Sequence, residues 1–255
     1  MTAASVLSGE QRWHVDPGDC LDGMRALPDR GIDVVITDPP YSAHVHASVR
    51  RAGRTVDLGF RSLDPAVMHA AAREFARLCR RWVIVFCDIE SAHLWGEALV
   101  GRGLEHVRTG AWIRQGCMPQ ITGDRPAVGF EAIVIAHRPG RKRWNGGGTR
   151  GVWTHAVQGR SGGAESERVH TTQKPLELML ELAELFSDAD EVVLDPFAGS
   201  GTTGVACLRL GRRFLGFELD ETYARTARER CAAEEAGSTL VAARTGQLAL
   251  LGGDR

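Results

Sequence analysis

The stretch that most constrains the fold is residues 191–220, EVVLDPFAGSGTTGVACLRLGRRFLGFELD. It opens on an apolar, β-branched run and turns through Gly199 and Gly201. A helical pattern follows, then a second strand-like run ending in acids. Strand, glycine turn, helix, second strand and terminal acid follow the logic of a dinucleotide-type fold, whose ligand crosses the carboxyl edge of the sheet. The turn is not GxGxxG, and it lacks the lysine of a phosphate-binding loop. Glycines at 199 and 201 let the backbone approach a ligand closely. A helix opening at Thr202 offers unpaired amides to a carboxylate. Glu218, at the end of the second strand, is placed to accept both hydroxyls of a ribose.

The rest of the chain repeats the alternation. Strand-like runs occur at Ile32–Thr37, Trp82–Cys87, Phe130–Ala136, Glu191–Asp195 and Arg213–Glu218. Helical patterns lie between them, which is the signature of an α/β fold with a largely parallel sheet. One helix should begin at Asp64-Pro65, an N-cap residue followed by proline in the first turn, with Val67, Ala71, Phe75 and Leu78 on one stripe. Another should begin at Pro175, burying Leu176, Met179, Ala183 and Phe186; two more fall near 202–211 and 220–234. Residues 42–63 read as a mobile loop, and 138–170 show no period at all. A structureless stretch that long inside a compact domain is usually functional or disordered.

A second motif, Asp38-Pro39-Pro40-Tyr41, follows directly on the strand IDVVIT. A carboxylate there can accept a hydrogen bond from an amino group. The Pro39 carbonyl, held by the next proline, can accept another, and Tyr41 supplies a ring face. Such a set suits a planar aromatic amine, whose lone pair is delocalised and needs help to point outwards. Asp-Pro is also an ordinary turn former after a strand.

Together, Asp-Pro-Pro-Tyr and Asp-Pro-Phe-Ala-Gly-Ser-Gly-Thr-Thr resemble the amino-methylating DNA methyltransferases that use S-adenosylmethionine (SAM), over about residues 14–235. The tetrapeptide precedes the glycine turn, and HTTQKP (His170–Pro175) stands just before the latter. That order resembles the β group of the family. The resemblance implies a Rossmann-like α/β methyltransferase fold with a mostly parallel seven-stranded sheet and helices on both faces. It also implies one domain over 1–255, with a small target-recognition insertion at 108–170.

By the same resemblance, Asp38, Pro39, Pro40 and Tyr41 would be catalytic, with Asp38 and the Pro39 carbonyl on the target amine and Tyr41 stacked on a flipped base. SAM would be held by Asp195, Pro196, Phe197, Ala198, Gly199, Ser200, Gly201, Thr202 and Thr203, with Glu218 and Leu219 at the ribose and Asp38 alongside. Asp19 and Cys20 would lie near the adenine, and Thr172, Gln173 and Lys174 near the methionine end. Lys174 reads equally as an exposed lysine at a helix start. Asp at the first position of the tetrapeptide points to adenine N6; Ser there would point to cytosine N4. The chain has no Pro-Cys, the context expected for a C5-cytosine nucleophile. Rivals are a cytosine-N4 enzyme, an RNA or protein methyltransferase, and a binding module without catalysis.

Composition sharpens the partner. The formal charge is −1, from 31 basic and 32 acidic side chains. Residues 108–170 carry ten basic and four acidic residues, so that segment is +6 against −7 for the rest. A local basic stretch, not overall basicity, marks a double-stranded DNA partner. Arg50, Arg51 and Arg54 in the first loop, and Arg141, Lys142, Arg143 and Trp144 in the second, are the candidate DNA contacts. A solvated basic loop is the alternative for the second. Trp112 and Trp153 read as core or hinge residues. His44 and His46 lack companions at metal-ligand spacing, and the six cysteines form no CxxC, so no metal is expected. No apolar run approaches the ~18 residues of a membrane span. The first residues carry no basic head or apolar stretch, so a cytoplasmic protein is expected. A homodimer would widen its grip on a duplex.

Overall fold

The computed structural model describes residues 2–40, 50–51, 54–55, 64–117, 120–157 and 173–238. Its centre is one eight-stranded sheet. In chain order the strands are β1 (Trp13–Pro17), β2 (Ile32–Thr37), β5 (Cys79–Cys87), β6 (Glu105–Gln115), β7 (Phe130–His137), β8 (Val152–Ala156), β9 (Val192–Asp195) and β10 (Arg213–Glu218). A separate two-stranded hairpin is made by β3 (Arg50–Arg51) and β4 (Arg54–Thr55). The sheet order is β1-β10-β9-β2-β5-β7-β6-β8. All neighbours are parallel except the two pairs that β7 makes, with β5 and β6.

Five of these strands were legible as apolar runs because they are covered on both faces; every residue of β2 is buried. The helices divide into two layers. On one face α2 (Cys20–Arg25), α3 (Pro65–Leu78) and α4 (Ala92–Val100) enclose Met24, Met68, Phe75, Trp95 and Leu99, with the Phe75 and Trp95 rings stacked 6.2 Å apart. The other face is covered by α5 (Leu176–Phe186), α6 (Thr202–Arg209) and α7 (Glu221–Glu235), whose side chains pack on Val34, Ile36, Ile84 and Val193. A short helix, α1 (Ala3–Ser8), leads into β1. The start of α3 is as the sequence dictates: Asp64 caps it by accepting from the Ala66 amide at 2.8 Å, and Pro65 opens the first turn. Its buried stripe is led by Met68 rather than Val67.

Among the described residues the sheet has eight strands, where seven were expected. The additional one, β8, lies inside the stretch that showed no period. It escapes notice because alternate residues of an outer strand face solvent: Val152 and Thr154 are exposed while Trp153 is buried. Its parallel partner β6 escapes for the same reason. The two approach so closely at Gly110 that a Cβ there would stand 2.7 Å from the Gly151 carbonyl oxygen. Trp112 and Trp153 are paired in register and buried, so both are core residues. Segment 108–170 supplies most of β6 and all of β7 and β8. Among the described residues no helix is long and apolar enough to cross a membrane.

Candidate active site

All the parallel strands from β1 to β5 end on one edge of the sheet. The chain proceeds from β9 to β10 on one side and from β2 to β5 on the other. The carboxyl ends of β9 and β2 are thus the topological switch point, where open α/β sheets bind ligands. A buried hydrogen bond closes that point: the Thr37 hydroxyl donates to Asp195 Oδ1 at 2.8 Å. The same carboxylate accepts from the Thr203 hydroxyl at 2.6 Å and the Phe197 amide at 3.1 Å. Burial pushes the Asp195 carboxyl up to about 6, against the pull of those donors. Asp195 is therefore a pin joining β2, β9 and α6.

Other members of the glycine turn are also held within the fold. Ser200 and Thr202 are buried and accept hydrogen bonds from Arg230 of α7, and Pro196 and Ala198 are buried. Gly201 (φ +84°) is glycine for packing, since a Cβ would lie 2.8 Å from the Cβ of Ala227. Gly199 (φ +53°) differs: nothing lies within 4 Å of where its Cβ would be, so its outer face is open. Phe197 is half-buried beside it, and Leu219 is 74% exposed.

Two backbone amides fix the Glu218 carboxylate, Gly199 N–H on Oε2 at 2.8 Å and Asp220 N–H on Oε1 at 2.9 Å. Burial raises this carboxyl, and the two amides oppose the rise. A carboxylate has about four acceptor positions; two donors leave room for a diol. Asp19 is exposed but spends Oδ1 capping α2, accepting from Leu21 N at 2.7 Å. Cys20 is half-buried, and burial pushes its thiol up to about 12.

Across the switch point, Asp38 follows β2. Lys174 Nζ stands 2.5 Å from Asp38 Oδ2 and 3.0 Å from Glu131 Oε2. Glu131 also faces Arg114 Nη1 at 3.4 Å. Lys174 lies over the Phe86 and Trp112 rings, 5.1 and 5.8 Å from their centroids. Burial works against its charge, but the two carboxylates outweigh burial and hold the ammonium above the usual lysine range. At 8% exposure Lys174 is no surface lysine. The side-chain amide of Gln173 is buried, with no hydrogen-bond partner among the described residues. Pro39 and Pro40 border a small crevice with Phe86, Cys87 and Trp95. Tyr41 and Thr172 lie outside the described residues, as do His44 and His46.

Glu131 was not singled out in the sequence, yet its signal was there. It is the one acid inside the apolar run FEAIVIA, and a charge buried in a strand needs a partner.

The candidate DNA contacts divide. Arg50 and Arg51 pair through their backbones with Thr55 and Arg54 in the small hairpin. Arg141–Trp144 lies elsewhere. This run follows β7, which is antiparallel and ends opposite Trp82 at the amino edge of β5, so it sits at the edge opposite Asp38. Five residues of strand, about 17 Å, separate Trp82 from Cys87. Two of its cations have partners there: Lys142 pairs with Glu105, Arg143 Nε lies 3.0 Å from Asp188, and the Arg143 carbonyl accepts from Trp82 Nε1 at 2.6 Å. Trp144 packs its ring 4.9 Å from that of Phe186.

Comparison with known proteins agrees with this architecture. YubD of Escherichia coli (strain K12) is 30% identical over 227 residues, covering 85% of this chain and 88% of that protein. The crystal structure of the M1.HpyAVI–SAM complex superimposes with TM-score 0.65 at 24% identity, over 85% of this chain and 98% of the other. PvuII DNA methyltransferase, cytosine-N4-specific, gives TM-score 0.68 at 15% identity, over 86% of each chain. A family described as DNA methylase matches residues 32–229, more than three quarters of the sequence, and the chain belongs to that family.

Proposed function

We propose that this DNA methylase transfers a methyl group from SAM to the exocyclic N6 of adenine in double-stranded DNA. The observation that carries the reading is Asp38. It is an acidic acceptor at the carboxyl end of β2, beside the switch point, held by a buried lysine. The open face of Gly199, next to the amide-fixed Glu218 carboxylate, suits a ribose and an adjacent chain, so the residues fit SAM. M1.HpyAVI, which shares the fold, was crystallised with SAM. When bound, SAM supplies an electrophilic sulfonium methyl.

The chain's own residues then act by orientation. Asp38 accepts a hydrogen bond from the target amine and turns the nitrogen lone pair toward the methyl. Its hydrogen bond strengthens as positive charge develops on that nitrogen, which is differential stabilisation of the transition state. A base inside a duplex cannot reach this edge and must be flipped out at a cost of a few kcal/mol. Stacking on Tyr41 would return about 1–3 kcal/mol. A covalent enzyme intermediate is not needed. The buried thiols of Cys79 and Cys207 have their pKa values raised by desolvation, which disfavours thiolate nucleophiles there.

We assign target recognition to the part of 108–170 that reaches the Asp38 edge. Loop 116–129 joins β6 to β7 there, and the chain leaves β8 at the same edge before re-entering at Gln173. The far-edge run Arg141–Trp144 is not part of that assignment.

Incubation with labelled SAM and unmethylated DNA, followed by digestion to nucleosides, tests the reading. N6-methyladenine is expected. The fold likeness to a cytosine-N4 enzyme makes N4-methylcytosine the second reading. Label in RNA or protein alone would overturn both.

A further inference from the structure

Asp38 reaches a second carboxylate through one lysine. Lys174 Nζ lies between Asp38 Oδ2 and Glu131 Oε2, and Glu131 is itself backed by Arg114 on the neighbouring strand. Positive and negative groups alternate along the row, which runs from β6 through β7 and the start of α5 to the end of β2. Lys174 and Glu131 are 8% exposed each, so water does little to screen them.

A lysine salt-bridged to Asp38 alone would be a poor arrangement for catalysis. It would compete with the target amine for the same carboxylate and draw negative charge away from it. Glu131 changes that balance by sharing the ammonium. It also fixes where the lysine head can stand, because a four-carbon stem has several rotamers and a second anion selects one. The aromatic rings of Phe86 and Trp112 bound the same space.

We propose that Glu131 is a positioning residue for methyl transfer, acting through Lys174 to set the orientation and acceptor strength of Asp38. The inference rests on the catalytic role of Asp38 under the function proposed above. It does not depend on which base is methylated. Glu131 acts on Lys174 and Arg114, so its loss should lower the rate of transfer and spare cofactor binding.

The experiment is a double-mutant cycle of Glu131→Gln and Lys174→Met, read as single-turnover transfer of label to DNA with SAM saturating. Dissociation constants for SAM and melting temperatures are measured on each protein. Glu131→Gln should slow transfer at least tenfold, with SAM affinity within twofold of the parent. Lys174→Met should slow it at least as much. In the Lys174→Met background, Glu131→Gln should cost no more than a further twofold, because the group it acts through is gone. Glu131→Asp, which keeps the charge, should recover part of the rate and serves as the second variant if the glutamine protein folds poorly. Independent, multiplying losses would overturn the proposal. So would a loss in Glu131→Gln that follows SAM affinity, or a Glu131→Asp protein no faster than the glutamine one. If the parent transfers label to cytosine, the adenine reading fails while the cycle still decides the role of Glu131. If the parent transfers nothing to DNA, both fall.

Discussion

The two edges of the sheet carry similar chemistry and do different work. At the amino edge, Arg81 pairs with Asp188 and Glu191, Arg143 joins Asp188, and Asn145 bridges to the carbonyl of Ser187 and to Asp188. At the carboxyl edge, Arg114, Glu131, Lys174 and Asp38 form a row of comparable charge. The first network closes on itself and on backbone carbonyls, so its groups hold loops in place. The second ends at the switch point, beside the open face of Gly199. Charge and aromatic content therefore do not tell the two edges apart. The strand direction does, because it fixes which edge a residue belongs to.

The comparison breaks most sharply at Asp38. Asp38→Ala should lower methyl transfer at least about a hundredfold, as loss of one hydrogen-bonding group acting in the transition state does. SAM should still bind. Transfer that survives the substitution would remove Asp38 from the chemistry. Loss of SAM affinity equal to loss of rate would make it a cofactor ligand instead.

A second effect concerns the pin between the halves. Asp195 holds its proton up to about 6, because burial disfavours the charged form, whereas an unfolded aspartate ionises near 3.8. Between those values the folded protein binds more protons than the unfolded chain. Stability should therefore fall as pH rises from about 4 to about 6, then level off. The span corresponds to about 3 kcal/mol if Asp195 acts alone. Asp195→Asn removes the titration while leaving an acceptor for Thr37, and its stability should run flatter across that window in denaturant titrations. Parallel curves for the two proteins would mean that other groups carry the dependence.

A smaller effect is expected at the glycine turn. Gly201→Ala places a Cβ 2.8 Å from Ala227 at a positive φ, so α6 and α7 must separate. A cost of about 1–3 kcal/mol is expected. Gly199→Ala meets no atom within 4 Å and should lose less stability by packing, yet weaken SAM binding more. Equal thermal shifts and equal SAM affinities would erase the distinction drawn between the two glycines.

How far the sequence could be read follows from the same physics. Strands covered on both faces announce themselves as continuous apolar runs, so β2, β9 and β10 could be read directly. Outer strands β6 and β8 mix charged, small and aromatic residues because only one side packs, and no period survives. Site residues divide in the same way. The positions of Asp38 and Glu218 at strand ends were legible because each directly closes an apolar run. Lys174 was ambiguous, since exposure is a property of the fold and not of the letter. The intramolecular partners of the run Arg141–Trp144, namely Glu105, Asp188 and Phe186, could not be read because they are distant in sequence.

The gentlest test of the two edges is the salt dependence of DNA binding. Each phosphate contact contributes about one unit to the slope of log affinity against log salt. Replacing Arg141, Lys142 and Arg143 together by alanine removes three positive charges from the amino edge. If DNA lies on the carboxyl edge, the slope should stay unchanged, and the cost should appear only as lower stability. Exposed pairs such as Arg143–Asp188 contribute about 0–1 kcal/mol each. Arg125 stands in loop 116–129, at the Asp38 edge, with 57% of its side chain exposed. Arg125→Ala should reduce the slope by about one with the fold intact. A reversed result, with the slope falling for the triple variant and not for Arg125, would place DNA across the amino edge and return the basic run after β7 to the interface.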